Sequence, residues 1–440
     1  MNALLLLLVT QVGTAPGETP RQDTPASVVA AAPGVAAVSL GQLLAAADEH
    51  NVDRRISAQQ VLRAEADVDV AWTALLPGLT IQGAWVHNQY ESVIPAGRFG
   101  PDAITLQPQD QLDATFRVDL PLIDVGRWMR ASAARTVRDG ALERESATRD
   151  QIRRAVTATW YSYGAALALE QSALRSVAVA EAQLKLQEVR ERTGAATELE
   201  LLRSKAEVER NRQNVADAAK LIAIARRSLT TLSGMDPGAS AQLPEADLTA
   251  IPPLAELEAR VEELPQIKAA QRDMAGAEKN ETASKLALVP IVGAQFTERV
   301  TNATSFTGQA GAFNLGVNLS WRLDGPTILG HRLQSANVAV ASLALEKARM
   351  AAKDQINSDY QTLTAALIKV KAAEAQVQAA GRARTVAATR YEVGATTQID
   401  LIQADRDLFG AEVQHIQAKS DLASARVAVK LSAGLPIELE

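Results

Sequence analysis

The sequence predicts a mainly α-helical chain with a small β part, organised as a tandem duplication of long helical hairpins. Three observations carry that expectation. The first is a seam of period seven. Leu363, Val370 and Val377 lead into a turn at Gly394, and Leu401, Leu408, His415, Leu422 and Val429 lead out of it. Ala366, Ala373, Ala380 and Ala387, then Ala404, Ala411, Ala418 and Ala425, stand three places behind. A bulky and a tiny residue alternating on a 3.5-residue half-period describe long, supercoiled helices in close approach. The second is that the unit occurs twice. Gly194-Ala-Ala-Thr197 matches Gly394-Ala-Thr-Thr397, an offset of 200. That offset puts Leu201, Val208, Val215, Ile222 and Leu229 on the bulky series and Ala166, Ala173 and Ala180 on the small one. It also sets Asp124 on Asp324 and Gly234 on Gly434. Internal repeats decide architecture before any motif does. The third is four segments of strict apolar–polar alternation, a strand signal, two in each repeat.

Taken in order, residues 1–38 read as a leader and a disordered lead-in. The apolar run Ala3–Val9 is too short to span a bilayer as a helix, and no Lys or Arg precedes it, so it is an imperfect secretory signal. The expected boundaries are 39–237 for the first repeat, 238–253 for a linker and 254–440 for the second repeat. A helix is expected over 40–75, opened by a Ser39/Gln42 capping box and stopped by Pro77-Gly78. A strand over 79–85 follows, then a Gly- and Pro-rich loop over 95–108. The return strand sets Ala114, Phe116, Val118, Leu120 and Leu122 against Asp113, Thr115, Arg117 and Asp119. In the second repeat a helix from 254 to Pro290 precedes Val292, Ala294 and Phe296. The last strand sets Phe313, Leu315, Val317, Leu319 and Trp321 against Asn314, Gly316, Asn318 and Ser320. Strands of about ten residues suffice to cross a bilayer when tilted. Four cannot close a barrel, and an open edge in lipid leaves backbone groups unpaired. If the strands are membranous, the chain must oligomerise; a half-buried sheet on a soluble domain is the plainer alternative. After each strand pair, Asp124 and Asp324 launch helices of nearly 70 residues, about 100 Å long.

Composition narrows the function. A net charge of −6 argues against a nucleic-acid surface, and the absence of cysteine removes disulfides, thiolate metal sites and a lipidated N-terminal cysteine. His50, His87, His331 and His415 are scattered without the helical pairing a metal needs. No phosphate loop, nucleophile elbow or paired-glycine fingerprint occurs. Catalysis, cofactors and bound metal are therefore not expected.

The order and duplication of Leu76-Pro77, Val289-Pro290, Pro121-Leu-Ile-Asp124, Tyr391-Glu-Val-Gly394 with Asp400, and Leu431-Ser-Ala-Gly434 resemble the outer membrane factor family, the TolC-like outer membrane efflux proteins. The resemblance covers roughly residues 40–436. It implies a homotrimer whose hairpins form an α-barrel extending into the periplasm and whose strands form a twelve-stranded transmembrane β-barrel in outer-membrane lipid. It also implies a periplasmic adaptor and an inner-membrane pump as partners, and passive export of small molecules. Type I protein secretion by the same architecture is the near alternative, a soluble periplasmic coiled-coil scaffold or adaptor is the rival of another class, and an enzyme is a distant third.

The tips carry the candidate site. Thr197 with Glu200, and Thr397 with Asp400, place a hydroxyl at N-cap and a carboxylate at N3, a capping box. The resemblance puts Asp400 at an entrance aspartate, which with Glu200 would form charged rings in a trimer that bind cations. The family's second aspartate is Gln403 here, and its frequent basic residue is Thr396. Gly194, Ala195, Thr197, Leu201, Gly394, Ala395, Thr397 and Leu401 are the expected adaptor-docking tips.

Overall fold

The computed structural model describes residues 38–98, 100–238 and 241–436; the expected leader lies outside them, Val38 apart. The elements are α1 (Leu40–His50), α2 (Val52–Thr73), β1 (Gly78–His87), β2 (Ser92–Ile94), β3 (Ile104–Gln107), β4 (Asp110–Ile123), α3 (Val125–Arg192) and α4 (Glu198–Ser233). Then follow α5 (Leu254–Ala259), α6 (Pro265–Leu286), β5 (Ile291–Thr301), β6 (Gly311–Ser320), α7 (Gly325–Glu392) and α8 (Gln398–Ser432), with short 3-10 turns at Val261–Glu263 and Ser305–Thr307.

The long helices α3 and α7 have 68 residues each. Each starts at its aspartate: Asp124 and Asp324 accept the third backbone N–H of the helix at 2.9 Å. Each ends at a glycine with φ of 71° or 73°, Gly194 and Gly394, a backbone position that a side chain would strain. The heptad seams are the cores. One cluster joins Leu363, Ala366, Val370 and Ala373 of α7 to Ala418, Leu422, Ala425 and Val429 of α8. The other joins Ile152, Val156, Trp160 and Tyr163 of α3 to Ala225 and Leu229 of α4, with α1 laid across them through Leu43, Leu44 and Ala47. His415, expected on the seam, is half-buried there.

Two expected helices are broken. Residues 40–75 split at Asn51, which ends α1 and also caps α2 by accepting from the Asp53 and Arg54 N–H groups. Its amide donates to the Leu232 carbonyl at 2.9 Å, so the break is where α1 turns onto α4. The helix expected from 254 stops after α5 and restarts at Pro265, the N1 residue of α6; proline there loses only an N–H that has no helical partner. The 95–108 loop also carries a small hairpin, β2–β3.

Laterally, α3 packs on α2, α4, α6 and α8, and α7 packs on α6 and α8. The order is therefore α2/α4, α3, α6/α8, α7, with α2/α4 and α7 as free edges. The sheet follows the same order, β1-β4-β5-β6, all antiparallel, with β1 and β6 as edges. Register collects Leu79, Ile81, Phe116, Val118, Phe296, Phe313, Leu315 and Val317 on one face. Glu298, paired with Phe116 and Phe313, is a charge within it. Thr80, Gln82, Arg117, Asp119, Gln295, Arg299 and Asn314 lie on the other. Among the described residues nothing covers the apolar face: Phe313, Leu315, Val317 and Leu319 are 70–74% exposed. Among the described residues no helix is long and apolar enough to cross a membrane.

Candidate functional site

At both tips the capping boxes form. Glu200 accepts from the Thr197 N–H at 2.7 Å, and its own N–H donates to the Thr197 hydroxyl at 3.3 Å. Asp400 Oδ2 accepts from the Thr397 N–H (3.0 Å), the Thr397 hydroxyl (2.6 Å) and the Thr396 hydroxyl (2.8 Å). Those donors favour the charged form. Asp400 is held below the usual carboxylate range by the Thr397 hydroxyl first, then Thr396; Glu200 is lowered mainly by the Thr197 backbone N–H. Thr396 thus supplies the third donor to Asp400. Gln403 is exposed and donates to Asp407 at 2.8 Å.

Of the expected tip residues, Gly194, Ala195, Thr197, Gly394, Ala395 and Thr397 are exposed. Leu201 is half-buried and Leu401 is 6% exposed. These two are the first bulky residues of their seams, so packing claims them and Leu401 is not available at the surface. Exposed apolar side chains do stand beside the turns: Val393, Leu199 and Ile399.

Above the tips, the two hairpins are tied to each other by polar groups that the sequence did not flag. Gln398, 5% exposed, donates to the Glu200 carbonyl (3.0 Å) and the Ser204 hydroxyl (2.7 Å). Arg406 donates through Nε to Glu207 at 3.0 Å, which raises the guanidinium pKa. Asp405 is shared between Gln183 (2.6 Å) and Arg384 (2.9 Å). Gln187 donates to the Tyr391 hydroxyl, Arg190 stacks on that ring at 5.0 Å, and Ser172 donates to Glu412. Gln187 and Gln398 each keep a buried Oε1 without a partner, a cost that weakens the tie. A cavity of about 490 Å³ opens among these groups, bordered by Arg175, Arg210, Arg384, Arg406 and Glu412. One signal was present in the sequence. Ser204 and Asn211 occupy the small-residue series where the second repeat has Ala404 and Ala411, and both are buried.

At the other end, three of the five tryptophans stand where strands meet helices. Trp72 and Trp128 make an edge-to-face pair at 5.4 Å. Trp321 donates to the Leu288 carbonyl at 2.9 Å. Trp85 stands near the far end of the apolar face. Tryptophan at both limits of an apolar band is the pattern of a membrane–water boundary.

The profile of the outer membrane efflux protein family matches residues 43–235 and 258–435. Among solved structures, the fold superposes on the CmeC outer membrane channel of Campylobacter jejuni with a TM-score of 0.78, at 16% identity over 90% of this chain and 85% of that one. A membrane protein from Pseudomonas aeruginosa gives 0.76, at 20% identity over 93% and 99%. VceC, an outer membrane protein of Vibrio cholerae, gives 0.73, at 18% identity over 91% and 97%. Identities this low show a shared fold. A sequence search of curated proteins finds no match.

Proposed function

This chain belongs to the outer membrane efflux protein family, and on that premise we propose that it is the passive exit duct of a tripartite export assembly. Three copies close one cylinder, and small molecules delivered by an inner-membrane pump through a periplasmic adaptor leave along its bore. The observation that carries this reading is the incomplete sheet. It has an uncovered apolar face, a polar face bearing Arg117, Asp119 and Arg299, and two unpaired edges. In lipid those edges demand partners. The helical edges beneath them match. α7 exposes Leu329, Leu333, Val340 and Leu343, and α2 exposes Ile56, Leu62 and Val70, so one subunit's α7 has an apolar stripe to set against the next subunit's α2.

The tips are the adaptor-docking surface, with Gly194, Ala195, Thr197, Gly394, Ala395 and Thr397 at the turns, Val393, Leu199 and Ile399 beside them, and Leu201 and Leu401 supporting from within. Asp400, with Glu200 and Gln403, lines the entrance. A carboxylate held ionised by three donors is suited to a cation-binding ring.

Single-channel recording in a planar bilayer tests both parts. Wild type is expected to give steps with cation preference. Asp400→Asn keeps an acceptor oxygen for the cap but removes the charge, and is expected to lose that preference while remaining folded, with a small loss of stability from the weakened cap. Absence of any step from correctly folded protein would sink the duct, whereas unchanged selectivity in Asp400→Asn reduces Asp400 to a cap.

A further inference from the structure

Within the first four turns of α3, two guanidinium groups are occupied by carboxylates: Arg127 by Asp124 and Arg138 by Asp139, each at 2.9 Å. Arg135 is not. Among the described residues no carboxylate pairs with it; it lies over the Trp72 ring at 4.3 Å, and Trp72 in turn meets Trp128 edge-on. The geometry follows from helix direction. Side chains tilt toward a helix N-terminus, so Arg135 on α3 reaches back toward the strands while Trp72, on the opposed α2, reaches down to meet it. Trp128 is 60% exposed, and Leu76 and Leu122, at the same end of the β1/β4 pair, are exposed as well.

The cluster faces outward. Stepping by sevens along α3 from Trp128 gives Arg135, Leu142, Arg149, Val156 and Tyr163. Arg149 pairs with Asp48 of α1, and Val156 and Tyr163 lie in the core beneath α1. A face that carries an added helical layer is the outside of a tube. The cluster also occurs only once per chain. At the offset of 200, Trp128 becomes Ile328 and Arg135 becomes Ser335, so duplication alone does not account for it.

We propose that Trp72, Trp128 and Arg135 form a binding site for an anionic glycerophospholipid of the periplasmic leaflet, one per subunit. The inference rests on the membrane placement of the sheet argued above. Arg135 donates its planar fork to the headgroup phosphate, a pairing that lysine cannot reproduce bidentately. The ring of Trp72 holds the fork in place by cation–π attraction. Trp128, with Leu76 and Leu122, meets the first methylenes of the acyl chains, as amphipathic rings do at this depth. A guanidinium not paired with a carboxylate beside the headgroups favours anionic over zwitterionic lipid.

The test is native mass spectrometry of the full-length protein released from nanodiscs of equal phosphatidylglycerol and phosphatidylcholine. Wild type is expected to keep phosphatidylglycerol preferentially, up to one per subunit, and an excess of inorganic phosphate does not displace it. Arg135→Gln is expected to cut that preference about fivefold, the equivalent of one charge at an anionic surface. Arg135→Lys falls between, and Arg212→Gln, far down the wall, leaves it unchanged. Equal preference in wild type and Arg135→Gln would overturn the site. So would a loss of oligomer on Arg135→Gln without a change in lipid preference, which would assign Arg135 to a neighbouring subunit. A chain that never enters nanodiscs fails the duct reading itself, and this site with it.

Discussion

The equator of the helical wall, its midsection where α1 and α5 pack on the seams, and the half next to the tips have the same heptad period but are held together differently. Around the equator the seams inside each hairpin are filled by Leu363, Val370, Leu422 and Val429 in one and by Val156, Trp160 and Leu229 in the other, with α1 and α5 packed on them. The hairpins meet there through Arg154, which donates to Asp359 at 2.9 Å and to the Ala428 carbonyl at 3.0 Å. Toward the tips the hairpins meet through Gln398, Ser204, Glu207, Arg406, Asp405 and Glu412. Apolar burial stabilises at about 25 cal/mol per Å² in whatever register fills space. A hydrogen bond contributes only about 1 kcal/mol net and can be exchanged for water. The equator therefore backs its polar tie between hairpins with large apolar seams, whereas next to the tips the hairpins are joined by polar groups that water can replace.

The strongest way to break this contrast is Leu363→Ala. Leu363 is 2% exposed in the centre of the equatorial cluster, and truncation is expected to cost about 2–5 kcal/mol, read from the denaturation midpoint. A cost below that of tip substitutions would remove the distinction. A smaller effect sharpens it. Arg406→Ala leaves Glu207, whose side chain is 7% exposed, without its cation. Because Arg406 is itself 41% exposed, solvent screening limits the loss to about 1 kcal/mol. The expected readout is longer open dwell times in single-channel recordings, with the melting temperature almost unmoved.

The smallest effect is on pH dependence. His415 stands on the α8 seam, where burial first and Lys419 second lower its pKa, while Glu374 on α7 opposes them. The unfolded chain then binds the proton more readily than the folded one. Stability is expected to fall as pH drops through the window from about 6.5 down to the folded value. His415→Leu should flatten that part of the curve; an identical slope in the variant would show that His415 does not set it.

The sequence showed more of the fold than of the site. Period seven, period two and the offset of 200 are local or repetitive signals, and they placed α3, α7, both strand pairs and the caps at Thr197 and Thr397. The break at Asn51 was hidden because its cause is a contact with Leu232, on another helix. The polar ties escaped for the same reason. Gln187 with Tyr391 and Glu207 with Arg406 lie about two hundred residues apart, and no spacing rule joins them. Only Ser204 and Asn211, standing in for alanines of the other repeat, marked where to look.

The bare rims of the four-stranded sheet, along β1 and β6, have a genetic consequence. In the proposed trimer, a subunit whose rim is spoiled would not merely fail; it would be taken into cylinders with healthy sisters and ruin them. With equal synthesis of intact and rim-damaged copies, only about one trimer in eight is free of the damaged kind. Proline substitutions at Leu315 or Ile81, in mid-rim, should therefore act dominantly in a cell carrying both alleles, whereas a truncation that prevents the chain from folding at all should be recessive.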